Sequence, residues 1–90
     1  MAMSCTVRIP SPLRSYTAGA ATVPADGGTV AEVLASLERR FAGIRFRMVD
    51  EQSRIRPHIR LYVNTTEVTV LSQPVRSSDV VHVICALSGG

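Results

Sequence analysis

The last two residues, Gly89-Gly90, combine a residue type and a position that could do chemistry. A carboxylate is unreactive until one oxygen becomes a good leaving group. Adenylation by another enzyme would make that change, turning Gly90 into an acyl-adenylate. A persulfide sulfur can then attack the carbonyl and expel AMP, and reduction of the resulting acyl disulfide by a thiol leaves a thiocarboxylate. Glycine at both positions removes every Cβ from the reacting end, so the backbone can enter a narrow channel and be approached from either side. Five extended residues, Ala86 to Gly90, reach about 16 Å, enough to carry the carboxylate well inside a partner. At about 7% glycine usage a terminal pair arises by chance in roughly 0.5% of sequences. Alone it is also what a frayed end looks like.

The other reactive residue types argue against catalysis by the chain itself. Net charge is +3, and all ten basic residues are arginine. Without lysine there is no P-loop and no lysine Schiff base. There is also no side-chain amine to intercept an activated terminus of the same chain. His82-x-x-Cys85 has the look of a metal pair, but an odd separation on a strand puts the two side chains on opposite faces. His58 has no Cys, Asp or Glu at ligand spacing, and two histidines placed like these make no Ser–His–Asp arrangement. Cys5 and Cys85 are too few for a disulfide framework. Seven arginines fall between Arg39 and Arg60, against only Asp50 and Glu51. Phe41, Phe46 and Tyr62 do not interleave with them as a stacking platform, so nucleic acid is disfavoured. A solvated charged face, able to steer an acidic partner, is the reading preferred by about three to one on the charge pattern.

Ninety residues make one small domain, burying roughly 60–65% of the unfolded chain's surface and leaving little room for a deep cleft beside a core. Hydrophobic residues at 46% and charged ones at 19% are globular composition. Cys5, Val7 and Ile9 alternate with polar residues as a half-buried strand, closed by Pro10 and Pro12. Tyr16–Val23 is a weaker strand candidate, and Asp26-Gly27-Gly28 breaks the chain. Thr29 and Glu32 form a capping box. Val30, Val33, Leu34, Leu37 and Phe41 recur on one helical stripe, while Glu38, Arg39 and Arg40 point away and Gly43 supplies a left-handed stop. The spacing predicts a helix of about thirteen residues. The stretch 44–57 reads as irregular. Ile59, Leu61 and Val63 alternate as a second firm strand, Asn64–Glu67 is a turn, and Val68 and Val70 lie on a short return strand. Val80–Cys85 is the last and most apolar strand. With the strongest strands first and last, they are expected as parallel neighbours at the centre of a mixed sheet, with the helix across one face. That is an α+β, β-grasp arrangement, with the domain over 1–85 and a reactive tail over 86–90.

The residues also resemble a known family. Val7-Arg8-Ile9-Pro10 with Leu13-Arg14 and Thr17-x-Gly19 is similar to the opening of the longer, stand-alone members of the MoaD/ThiS family of ubiquitin-like sulfur carriers. Gly28-Thr29-Val30-x-Glu32-Val33-Leu34 looks like their helix start, Leu61-Tyr62-Val63-Asn64-x-x-Glu67-Val68 like their hairpin, and Gly89-Gly90 is their functional signature. The resemblance covers nearly the whole chain and leans toward the CysO-type branch. It departs at Cys85-Ala86, where many members carry proline. It implies a carrier rather than an enzyme, with no catalytic residue, metal or bound cofactor of its own. Gly90, preceded by Gly89, would be adenylated by an E1-like enzyme of the MoeB/ThiF type using ATP. A persulfide or sulfide would then supply sulfur, and a sulfur-accepting synthase would consume it, for cysteine, a sulfur-containing metabolite or a cofactor. A ubiquitin-like modifier forming isopeptide bonds through Gly90, or a molybdopterin-synthase small subunit, would use the same terminus.

Docking is expected on the last strand. Val81, Val83 and Cys85 should meet the helix, leaving Val80, His82 and Ile84 as an apolar patch just before the tail residues Leu87 and Ser88. Ile84 and His82 merely completing the sheet's outer face is an equally weighted alternative. In parallel neighbours Cys5 and Cys85 should stand about four residues, or roughly 13 Å, apart, beyond disulfide reach. The N-terminus lacks a signal peptide's basic and apolar regions, and Val80–Leu87 is too short to span a bilayer. A cytoplasmic protein with reduced thiols, bound to neither membrane nor nucleic acid, is the expectation.

Overall fold

The computed structural model describes residues 4–86. Alternation sets its strands. In β1 (Ser4–Arg8) Cys5 and Val7 are buried and their neighbours exposed; β2 (Thr22–Asp26) buries Val23 and Ala25 in the same way. The first helix, α1 (Val30–Arg40), is followed by a single-turn-and-a-half α2 (Ile44–Met48). Three strands complete the chain: β3 (Ile59–Val63), the two-residue β4 (Thr66–Glu67) and β5 (Val80–Cys85). The sheet order is β2-β1-β5-β3-β4. As expected, β1 and β5 are parallel neighbours at the centre, and every other pair is antiparallel.

One face of this sheet carries the core. Val30, Val33, Leu34 and Leu37 of α1 have no exposed surface and join Val7, Leu61, Val81 and Val83 in one cluster. Each such side chain contributes about 1.5–3 kcal/mol relative to its exposed state. Thr29 Oγ1 accepts the Glu32 N–H at 3.2 Å, and the Glu32 carboxylate accepts the Gly28 N–H at 2.7 Å, so the capping box forms with its return bond one residue ahead of the cap. Gly27 lets the chain enter the helix: its φ is +146°, and a Cβ there would stand 2.7 Å from Glu32 Cβ.

Five expectations are corrected. The second strand is Thr22–Asp26, not Tyr16–Val23. Tyr16–Gly19 is turn, closed by the buried Thr17 hydroxyl donating to the Ala20 carbonyl at 2.8 Å. Pro24 lies within the strand, tolerated because β2 is an edge. The main helix has eleven residues, and the stretch 44–57 contains α2. Gly43, left-handed at φ 97° as expected, starts α2, whose Ile44 and Met48 are buried one turn apart. The Glu38 carboxylate caps it from outside, accepting the N–H groups of Gly43 at 2.8 Å and Arg45 at 3.0 Å. Those two bonds hold its carboxyl below the usual carboxylate range. The return strand is Thr66–Glu67; Val68 follows it, buried and donating its N–H to Leu61, while Val70 is exposed. Finally, Thr6 pairs with Val80, so Cys5 stands level with Asp79 and Cys85 lies six positions further along β5. That separation is about 20 Å, not 13 Å, and both thiols are free.

Candidate functional site

Alternation along β5 divides its side chains as the sequence predicts. Val81 and Val83 face the helices and are buried, whereas Ile84 on the opposite face is 45% exposed. His82 and Val80 are half-buried on that outer face. Register builds the rest of the patch. His82 stands opposite Arg8 of β1 and Tyr62 of β3, and Tyr62 stands opposite Glu67. Ile84 stands opposite Arg60, whose guanidinium pairs with Glu67 at 2.9 Å. An exposed isoleucine thus sits in a polar frame, where it adds little to the fold and is free to meet another surface. Arg8, Tyr62, Arg60 and Glu67 were not read as site residues from sequence. Pairing β3 and β5 antiparallel on paper would have found two of them, Arg60 and Tyr62.

Beyond Ile84 the chain leaves the sheet beside the start of β3. Cys85 pairs with Ile59, and the Ala86 N–H donates to the His58 carbonyl at 2.8 Å. Leu87, Ser88, Gly89 and Gly90 lie outside the described residues. Cys85 is half-buried on the helix side; burial pushes its thiol pKa up, against a smaller downward pull from Arg47. Cys5 is buried, and burial is likewise the main cause raising its thiol. Among the described residues no group of three His, Cys, Asp or Glu side chains could hold a metal ion. His82 and Cys85 point to opposite faces, as their spacing requires. Among those residues, too, no helix is long and apolar enough to cross a membrane.

The arginines do not form one continuous strip. Arg60 faces the outer side with Glu67, Arg54 pairs with Asp50 at 3.6 Å, and Arg40 turns to the Pro24 carbonyl with its guanidinium over Phe41. Such exposed pairs contribute up to about 1 kcal/mol each. Their dispersal supports the solvated-face reading over a phosphate-tracking groove.

A five-stranded mixed sheet with parallel first and last strands, and a helix packed across one face, defines a β-grasp, ubiquitin-like protein. Residues 7–90 match the ThiS family, and the chain belongs to it. It is 34% identical to the sulfur carrier protein CysO of Mycobacterium tuberculosis, over 98% of this chain and all of that one. A chain in the crystal structure of the Amycolatopsis orientalis BexX/CysO complex superposes with a TM-score of 0.89 at 37% identity, covering 96% of this chain and 99% of that one. The solution structure of small archaeal modifier protein 1 from Methanosarcina acetivorans superposes at 0.79 with 23% identity, covering 100% and 99%, and shares the fold.

Proposed function

We propose that this chain is a sulfur carrier whose Gly90 carboxylate is the working group. The observation that carries the reading is the family match, which runs through residue 90 and so includes Gly89-Gly90. An E1-like enzyme would transfer AMP from ATP to the carboxylate, releasing pyrophosphate. Hydrosulfide attack on the acyl-adenylate would then form the C–S bond and expel AMP, leaving a thiocarboxylate. A persulfide donor would first give an acyl disulfide, which a thiol must reduce to the same product. The carrier supplies no catalytic residue; ATP is the partner's substrate, and the accepting synthase takes the sulfur on. The likeness to CysO proteins over nearly the full chain supports delivery toward cysteine or a sulfur-containing metabolite. A cytoplasmic location fits two reduced thiols.

Within this reading residues 86–90 form the reactive tail. Ile84 and His82, with Leu87 and Ser88, meet the activating enzyme. The polar frame around Ile84 supports that role, because the side chain is exposed where the sheet has no need of it.

The test is the mass of the C-terminal peptide in protein recovered from its native host. Replacing the carboxylate oxygen by sulfur adds about 16 Da, and peptide mapping separates this from methionine oxidation. The expected result is that shift on the peptide ending at Gly90, lost when Gly90 is deleted. Slower-migrating conjugates with no shift on that peptide would replace the carrier reading with a protein modifier. Unchanged biological function after deletion of Gly90 would leave a binding module only.

A further inference from the structure

The outer face of β5 does not account for the corner where the chain leaves the sheet. There, on the helix side, Phe46, Arg47, Arg56 and His58 line a cleft of about 190 Å³. Its parts are held in place by local structure. Ile44 and Met48 are buried, so α2 turns Phe46 outward, and the ring is 54% exposed. Arg56 is fixed three times: its N–H donates to the Met48 carbonyl at 3.0 Å, its Nε donates to the Phe46 carbonyl at 2.6 Å, and its guanidinium lies 4.4 Å from the Phe46 ring centroid. Such a fork loses little freedom when it binds a planar anion. Arg47 supplies a second cation close enough to act on the Cys85 thiol. Among the described residues no acidic side chain lines the cleft. Of the acids in the flanking segments, Glu38 caps α2 and Glu67 holds Arg60. Asp50, though within electrostatic reach of Arg56, binds the N–H groups of Gln52 and Arg54 while pairing with Arg54. Glu51 is exposed and does not line the cleft.

We propose that this cleft docks an acidic segment of a partner protein, an aspartate or glutamate carboxylate chelated by Arg56 and Arg47 against the Phe46 ring. Charge complementarity selects that occupant. Two available guanidiniums at one spot match one or two carboxylates. The dispersed pairing of Arg40, Arg54 and Arg60 interrupts the path a nucleic-acid backbone would follow, and Arg56 covers one face of the exposed ring a base would need. Exposed phenylalanine beside arginine is also the composition of interface anchors. Because Ala86 is tied to His58, a partner seated in the cleft lies where the tail begins, on the opposite side of the sheet from Ile84. The inference stands independently of the sulfur-carrier reading.

The test is an NMR titration of the ¹⁵N-labelled full chain with a hexaglutamate peptide, following the arginine Nε–H signals at low salt. Arg47 and Arg56 should move together with the His58 amide. R47Q and R56Q should each weaken binding about tenfold, as expected for a charge-assisted bidentate contact, while R39Q changes it less than about twofold. Equal losses in all three variants would mean diffuse attraction and would overturn the proposal. So would tighter binding of a thymidine oligonucleotide than of the peptide. A third contrary result uses the full chain with its terminal carboxylate amidated: movement of the Arg47 and Arg56 signals without peptide would make the chain's own terminus the occupant.

Discussion

The two faces of β5 carry similar side chains and opposite consequences. Val81 and Val83 are apolar and buried under the helices; Ile84, equally apolar, is exposed among Arg60, Tyr62 and His82. A strand alternates by geometry alone, so the difference lies in what covers each face. α1 and α2 both pack on one side, and the described residues place no helix on the other. Apolar residues on the covered face are therefore stability, and those on the open face are available for recognition. This separation lets ninety residues hold a core and still leave an apolar side chain, Ile84, exposed on the open face.

The largest effect should come from placing a charge on the covered face. Val81 has no exposed surface and stands between Val7 and Val63. In Val81→Asp the carboxylate would be buried without a partner, at a cost of several kcal/mol. Against a total stability of roughly 5–13 kcal/mol for a chain this long, that should abolish the cooperative thermal transition seen by circular dichroism. A variant that melts cooperatively within a few degrees of the parent would show that the covered face is not sealed.

Much of this architecture is legible in the sequence because it rests on local signals. Thr29 and Glu32 announce the helix start within four residues, Val7 and Leu61 each sit in a clean alternation, and Val83 sits in the most apolar run. The unread parts depend on distant partners. Pro24 and Asp26 look like turn residues until β1 is seen to pair with an edge strand, where a proline is tolerated. α2 offers Ile44, Phe46 and Met48, an alternation that shows no helical period, and only Ile44 and Met48 are buried. Val70 continues the apolar alternation after the hairpin, yet the ladder ends at Val68 and leaves it exposed. For the candidate site, the outward Ile84 was readable directly, while Gly89-Gly90 is read from the sequence and lies outside the described residues. The Arg8–His82–Tyr62–Glu67 row needed strand register, and the Phe46–Arg56 pair needed α2 to meet a loop ten residues away.

A smaller effect tests how β5 enters the sheet before its faces diverge. The Asp79 carboxylate accepts the Arg76 N–H and the Asn64 side-chain amide, each at 2.9 Å, while Asn64 Oδ1 accepts the Val80 N–H at 3.0 Å. The Arg76 N–H first, then Asn64, hold its pKa below the ordinary aspartate value. A carboxyl depressed in the folded state stabilises fully above its unfolded pKa and loses that contribution as pH falls through the folded one. Asp79→Asn should therefore be less stable than the parent in urea melts at neutral pH, with the gap narrowing below the ordinary aspartate range. A gap that stays constant down to pH 2 would show that the charge of Asp79 contributes nothing.

The smallest effect on stability, and the sharpest contrast with Val81→Asp, is expected at Ile84. Its side chain is already 45% exposed, so truncating or charging it removes little burial. Aspartate there would face Arg60 across the β3–β5 pair, an opposite-charge arrangement that contributes roughly 0.2–1 kcal/mol and offsets part of the lost β propensity. Ile84→Asp should melt within about 1 kcal/mol of the parent by urea titration. On the proposed function the same variant should be a poor substrate for an activating enzyme, because a desolvated carboxylate would replace an apolar contact at the proposed docking face. ATP–pyrophosphate exchange with that enzyme separates the outcomes. Slow exchange by a folded variant places recognition on the open face. Normal exchange moves docking elsewhere, and loss of the cooperative melt would make Ile84 part of the core after all.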